Sequence, residues 1–129
     1  MKPLRRILHV EDVPSIRVVT RVALEKLGGF EVLSCASGQE ALDQVQRFAP
    51  DMILMDMMLP RMSGMELLCQ LAQLIDLRAT PVVLLTGQSH TPTDPEEFRR
   101  LGVRKMLHKP FDPLQLAAQL NEVWNAEHE

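Results

Sequence analysis

Five residues of this sequence carry side chains that could act together, and each lies at the end of a short apolar run. Glu11 and Asp12 follow "RILHV", Asp56 ends "MILMD", Thr86 ends "PVVLLT" and Lys109 follows "VRKMLH". Three carboxylates brought close together cannot all stay ionised without a cation. Oxygen ligands, with no histidine or cysteine among them, favour a hard ion such as Mg²⁺.

The same residue types suit phosphoryl transfer. A carboxylate can act as a nucleophile and form an acyl phosphate, and the transfer needs neutralisation of charge around the transferred group more than acid–base chemistry. The Lys109 ammonium and a metal ion would supply that neutralisation. The Thr86 hydroxyl could donate to a phosphoryl oxygen, and Gly87 has no bulky side chain to obstruct the approach. Each residue has an ordinary structural explanation when taken singly; their shared position after apolar runs is what favours a site.

The apolar runs alternate with helical patterns along the whole chain. Strands are predicted at 6–10, 30–35, 52–55, 81–86 and 103–108. Helices are predicted from about Pro14 to the glycines at 28–29, over 37–48 and 63–75, from Pro95, and over 112–124. Alternating strands and helices indicate βαβ units with right-handed crossovers, and hence an α/β fold with a doubly wound five-stranded parallel sheet in a three-layer sandwich. Such sheets bind ligands beyond the carboxyl ends of their strands, where the candidate residues would converge.

Spacing also predicts the starts and the faces of several helices. Ser37 is the expected cap of the second helix, Ser63 and Glu66 have the spacing of a capping box, and Asp94 is the expected cap before Pro95. The buried face of the first helix is predicted to comprise Ile16, Val19, Ala23 and Leu27.

Composition narrows the class of protein. The 129 residues, of which 46% are hydrophobic and 24% charged, suit one globular domain over residues 1–129. No apolar run is long enough to cross a bilayer, and a net charge of −3 gives no electrostatic reason to expect nucleic acid as a partner. Cys35 and Cys69 do not form a CxxC motif, so we expect two reduced thiols in a cytoplasmic protein.

The order of these segments resembles the receiver domain of two-component response regulators. The resemblance is carried by "ED" (11–12), "PDMILMDMMLPRMSGMELL" (50–68), "TPVVLLTG" (80–87) and "GVRKMLHKPFDP" (102–113). Each block is modestly specific alone, and four in the right order are highly specific. The resemblance covers nearly the whole chain and implies a flavodoxin-like sheet with strand order 2-1-3-4-5.

The resemblance also implies a role for each candidate residue. Asp56 would accept a phosphoryl group from a sensor histidine kinase or a histidine phosphotransfer protein. Glu11, Asp12, Asp56 and the backbone carbonyl of Met58 would hold Mg²⁺. The resemblance further implies that Thr86 supplies the switch hydroxyl and that Lys109 pairs with the phosphoryl oxygens. Gly87 would leave open space beside them, and the peptide bond between Lys109 and Pro110 would be cis.

The sequence departs from the family pattern at Met106, where an aromatic residue is common. A thioether is flexible and apolar and offers no ring face or hydroxyl, so a ring-based switch is not expected at this position. Met58 and Gln88 occupy positions that influence hydrolysis of the acyl phosphate in the family, and an uncharged Met58 predicts a moderately long-lived phosphoryl group. A downstream protein, or a second copy in a phosphorylation-dependent dimer, is expected on the face of helix 4, strand 5 and helix 5, which includes Lys105.

Three other classes of function compete with a phosphoacceptor. An Mg²⁺-dependent phosphohydrolase with an Asp nucleophile generally has a second acid at the position of Met58. A flavin carrier of the same fold would have a phosphate-binding loop in place of the acidic "EDVPS". A degenerate receiver would dock partners without phosphorylation. Among the histidines, His9 is expected in the core, His108 is expected to point away from the site, and His90 is expected in a solvated loop.

Overall fold

The computed structural model describes residues 2–87 and 95–128, so the expected helix cap Asp94, together with Gln88 and His90, lies outside the described residues. The strands are β1 (Arg6–Val10), β2 (Glu31–Cys35), β3 (Met52–Asp56), β4 (Val82–Thr86) and β5 (Val103–His108). The helices are α1 (Pro14–Gly28), α2 (Gly38–Phe48), α3 (Gly64–Leu74), α4 (Pro95–Leu101) and α5 (Pro113–Glu127).

The strands form one parallel sheet in the order β2-β1-β3-β4-β5. Every residue of β3 and β4 is buried, as expected for central strands of a parallel sheet covered on both faces. The more polar β2 is an edge strand, which agrees with its alternating pattern. The predicted fold class and strand order are therefore confirmed.

Side chains alternate between the two faces of each strand and so contribute to two separate hydrophobic cores. One core joins Leu84 and Met55 to helices α2, α3 and α4, including Phe98 of α4. The other joins Leu54 and Leu85 to α1 and α5. The sheet is thus the middle layer of a three-layer sandwich, and its rigid centre fixes where β1, β3 and β4 end.

Side-chain caps begin two of the helices as predicted. The Ser37 hydroxyl accepts from the backbone N–H of Glu40 at 3.2 Å, and the Ser63 hydroxyl accepts from the backbone N–H of Glu66 at 3.1 Å. Each cap satisfies a backbone donor that the helix itself leaves unpaired. The second cap starts α3 at the end of the loop that follows Asp56.

The predicted buried face of α1 is wrong in two positions. Val19 and Leu27 are 50% and 55% exposed, whereas Thr20, Ala23 and Leu24 are buried against the sheet and α5. The helix carries more apolar residues than one face can hold, so spacing alone selects the wrong set. The surplus apolar side chains form an exposed strip beside the start of α5. Across residues 2–87 and 95–128, no helix has the length and apolar character needed to span a membrane.

Candidate phosphoryl-acceptor site

An acidic cluster lies where two neighbouring central strands end. Asp56 is the last residue of β3, and Glu11 and Asp12 directly follow β1. The pairing of Val10 with Met55 sets these strand ends side by side. One carboxylate oxygen from each of the three acids lies within 4.8 Å of the others. An all-oxygen donor set at this spacing fits a hard divalent cation such as Mg²⁺.

Lys109 bridges the acidic cluster from the far side of β4. Its Nζ donates to Glu11 Oε1 at 3.0 Å and to Asp56 Oδ2 at 2.5 Å. Lys109 follows β5, is 23% exposed at its side chain, and is joined to Pro110 by a cis peptide bond. Burial by itself lowers the pKa of Lys109, but the hydrogen bonds to the two carboxylates outweigh it, so the pKa is raised and the ammonium stays charged at neutral pH.

Glu11 is the most enclosed member of the cluster. Its side chain is fully buried, and burial raises the pKa of its carboxyl, while hydrogen bonds from the Val13 backbone and from Lys109 act in the opposite direction. The bond from the Val13 N–H to Glu11 Oε2 measures 3.1 Å. Burial therefore favours the protonated form of Glu11, and the contact with the Lys109 ammonium favours the ionised form.

The loop after β3 fixes the direction of the Asp56 carboxylate. Asp56 Oδ1 accepts from the backbone N–H of Met58 at 3.1 Å, and the Gly64 N–H donates to the Met57 carbonyl at 2.9 Å. A Cβ on Gly64 would lie only 3.0 Å from that carbonyl oxygen, so glycine permits the close turn. The Met58 side chain is left 52% exposed at the rim of the site.

Arg17 is a member of the site that the sequence analysis did not identify. Its Nη1 donates to the backbone carbonyls of Glu11 at 2.8 Å and Asp12 at 3.4 Å. The guanidinium on α1 thereby holds the β1–α1 connection that carries both acids. The available signal was an arginine five positions after Asp12 on a helix, and spacing does not reveal that it contacts backbone oxygens.

Thr86 is the buried last residue of β4, and its hydroxyl faces β5. Thr86 Oγ1 lies 3.1 Å from His108 Nδ1. As predicted, His108 lies on the strand face opposite to Lys109. Thr86 lies on that same face and is its register partner, so His108 contacts one of the predicted site residues.

The remaining predicted residues surround this arrangement. Gly87 directly follows Thr86, and Pro110 directly follows Lys109. Met106 is partly buried and packs against the core of the α2–α4 layer, two residues before His108 on the same face of β5.

His9 is fully buried, as predicted, and burial lowers the pKa of its imidazole to about 3. Cys35 and Cys69 are both free thiols, the first buried and the second exposed.

The acidic cluster and Lys109 lie at the carboxyl edge of a doubly wound sheet, where such sheets bind their ligands. The chain belongs to the response regulator receiver domain family, whose pattern matches residues 7–121. Response regulators receive phosphoryl groups from histidine kinases, and receiver domains bind Mg²⁺ at an acidic pocket.

Individual relatives agree with this assignment. The chain is 33% identical over 123 residues to the probable C4-dicarboxylate response regulator DctR of Halalkalibacterium halodurans, covering 94% of this chain and 52% of that protein. It is 35% identical over 121 residues to the phosphate regulon transcriptional regulatory protein PhoB of Escherichia coli, covering 92% and 51%. A CheY-like receiver domain protein from Methanospirillum hungatei superposes with a TM-score of 0.83 at 28% identity, covering 97% of each chain. The chain spans about half the length of the curated relatives it matches.

Proposed function

We propose that Asp56 accepts a phosphoryl group from the phosphohistidine of a sensor histidine kinase or a histidine phosphotransfer protein. The observation that carries this proposal is the meeting of Asp56 with two further acids and Lys109 at one point. In the transfer, a carboxylate oxygen of Asp56 forms the new P–O bond. The P–N bond to the donor imidazole breaks, and its electron pair stays on the leaving nitrogen, which is then protonated by solvent.

The side chains around Asp56 have complementary tasks in this proposal. The carboxylates of Glu11, Asp12 and Asp56, with the Met58 carbonyl, would hold Mg²⁺, and the ion would supply positive charge to the phosphoryl oxygens. Lys109, already in contact with Asp56, stabilises negative charge on the transferred group.

Thr86 donates its hydroxyl to the bound phosphoryl group and so couples phosphorylation to a conformational change. The exposed, uncharged Met58 leaves the acyl phosphate without a charged group to direct a water molecule at that position. We therefore expect a moderately long phosphoryl lifetime. Met106 takes part through packing, because its side chain contributes to the α2–α4 core.

The phosphodonor is proposed to dock on the apolar surface that borders Lys109. A groove between α1 and the segment after β5 is lined by Ile16, Val19, Pro110, Phe111 and Pro113. A protein that delivers a phosphoryl group to Asp56 must cover the rim of the site, and this groove is continuous with it through Lys109. Exposed apolar surface of this kind marks interaction sites.

The changed surface after phosphorylation is proposed to be the α4–β5–α5 face, which presents Lys105 to a downstream protein or a second copy.

We propose one cytoplasmic, non-enzymatic signalling domain over residues 1–129. The meeting of Asp12, Asp56 and Lys109 at one point, with Thr86 at the end of the adjacent strand β4, weighs against a degenerate docking module. The uncharged Met58, in place of a second acid, weighs against a phosphohydrolase.

Mass spectrometry after incubation with acetyl phosphate and Mg²⁺ tests the proposal. The expected result is a gain of one phosphoryl group per chain, and Asp56→Asn should abolish it while keeping the fold. Asp43→Asn, at an exposed aspartate on α2, is the matched control and should label normally. Failure of the wild-type protein to label, or labelling of the Asp56→Asn variant at the wild-type level, would contradict the proposal. Many turnovers of a small phosphoester would support a phosphohydrolase instead.

A further inference from the structure

The contact between Thr86 and His108 is not required for accepting a phosphoryl group, yet it involves the hydroxyl that would bind that group. The two residues are register partners at the ends of β4 and β5. Thr86 is fully buried, and its Oγ1 lies 3.1 Å from Nδ1 of the exposed His108. A buried hydroxyl needs a hydrogen-bond partner, and here the imidazole supplies one.

The strand order determines what this contact does to Thr86. β4 lies between β3, which ends in Asp56, and β5, which ends in His108. A hydroxyl directed at His108 points toward β5, whereas a phosphoryl group on Asp56 lies on the side of β3. The hydroxyl can donate to Nδ1 or accept from it, according to the tautomer of the imidazole. In either case Oγ1 lies on the β5 side, so Thr86 must rotate about Cα–Cβ and leave His108 before it can donate to a phosphoryl group on the β3 side.

We propose that His108 is a positioning residue that holds the Thr86 hydroxyl away from the phosphoryl site in the unphosphorylated domain. The inference rests on the proposed function, because it concerns the movement of Thr86 onto the phosphoryl group. The bond stabilises only the unphosphorylated conformation, so it shifts the population toward that conformation. A net neutral hydrogen bond changes such an equilibrium by about fivefold.

Two substitutions separate the hydrogen bond from the ring. His108→Phe keeps a planar ring of similar size at the end of β5 but has neither donor nor acceptor on it. His108→Asn has a smaller side chain whose amide places a donor or an acceptor close to the position of Nδ1. Because His108 is exposed, neither change should disturb the core.

The test is the affinity for beryllofluoride in the presence of Mg²⁺, measured for the wild type and both variants. We expect His108→Phe to bind about fivefold more tightly, because no bond to Thr86 has to break, and His108→Asn to bind like the wild type. In a Thr86→Ala background, His108→Phe should have no effect, since the interaction energy of the pair has already been removed. Beryllofluoride should also shift the ¹⁵N resonance of His108 Nδ1 in the wild type and leave it unmoved in Thr86→Ala.

The outcomes distinguish this inference from the proposed function. If the wild type binds beryllofluoride but His108→Phe binds equally or more weakly, the inference is overturned and the proposed function stands. The same holds if the substitution has an equal effect with and without Thr86, or if the Nδ1 resonance is unmoved in the wild type. If the wild type does not bind beryllofluoride, the proposed function and this inference both fail.

Discussion

Replacing Lys109 with methionine should lower the stability of the protein, because the carboxylates of the acidic cluster lose their cationic partner. The ammonium contacts Glu11 Oε1 at 3.0 Å and Asp56 Oδ2 at 2.5 Å, and the side chains of these acids are 0% and 7% exposed. Removing one partner of a buried ion pair costs about 3–5 kcal/mol, because the other charge is left uncompensated. Since a metal-free site retains some access to water beside Asp56, we expect the lower end, about 3 kcal/mol.

Urea denaturation in EDTA measures this cost. With an m-value of about 2 kcal/mol/M, the midpoint should fall by roughly 1.5 M. Saturating Mg²⁺ should recover more stability in Lys109→Met than in the wild type, because the ion then replaces the missing charge. The control is Lys105→Met at an exposed lysine of β5, which should change stability by less than about 0.5 kcal/mol. Equal stability of Lys109→Met and the wild type in EDTA, or equal stabilisation of the two proteins by Mg²⁺, would contradict this expectation.

Two further predictions concern stability away from the acidic cluster. The Asp51 carboxylate accepts from the backbone N–H groups of Arg5 and Arg6 at 3.1 and 2.9 Å and pairs with Lys2. Burial opposes but does not overcome these contacts, which lower its pKa. Asp51→Ala should therefore lower the free energy of unfolding by about 3 kcal/mol at neutral pH. This loss is constant above the unfolded pKa near 3.8 and shrinks as the pH falls through the lower folded pKa. Urea denaturation of the wild type and the variant at about pH 7 and pH 3 measures the difference. Gly102 has φ +122°, and an added Cβ would lie 2.7 Å from Leu77 Cβ. Gly102→Ala should therefore lower the free energy of unfolding by about 3 kcal/mol, measured by thermal or urea unfolding. An unchanged stability would contradict this prediction.

The sheet and the acidic cluster were predictable because both depend on periodicities that the sequence displays. Five apolar runs separated by helical patterns fix the fold class, and residues at the ends of parallel strands share one edge. Asp56 and Lys109 could be placed together on this basis. The face of α1 could not, because apolar Val18, Val19 and Val22 compete with the positions that packing against α5 selects.

The surroundings of His108 show what the alternation of side chains along a strand leaves undetermined. Side chains alternate along β5, and His108 does lie on the face opposite to Lys109. Beyond the last strand residue, however, both faces open onto the same edge. The long Lys109 side chain reaches Asp56 from one face, while Thr86 meets His108 on the other. Alternation gives the face of a residue, but the contact depends on the neighbouring strand and its register.

The residues of the site come from strands with two different positions in the sheet. The acids come from the ends of β1 and β3, which are paired on both sides, whereas Lys109 and His108 come from the end of β5, which is paired only with β4. A strand bonded on one side can loosen without breaking the rest of the ladder, so local opening costs least at the margin of a sheet. The aspartate that would receive the signal is thereby anchored at the end of a strand paired on both sides, whereas Lys109 and His108, which contact Asp56 and Thr86, follow or end a strand at the margin of the sheet.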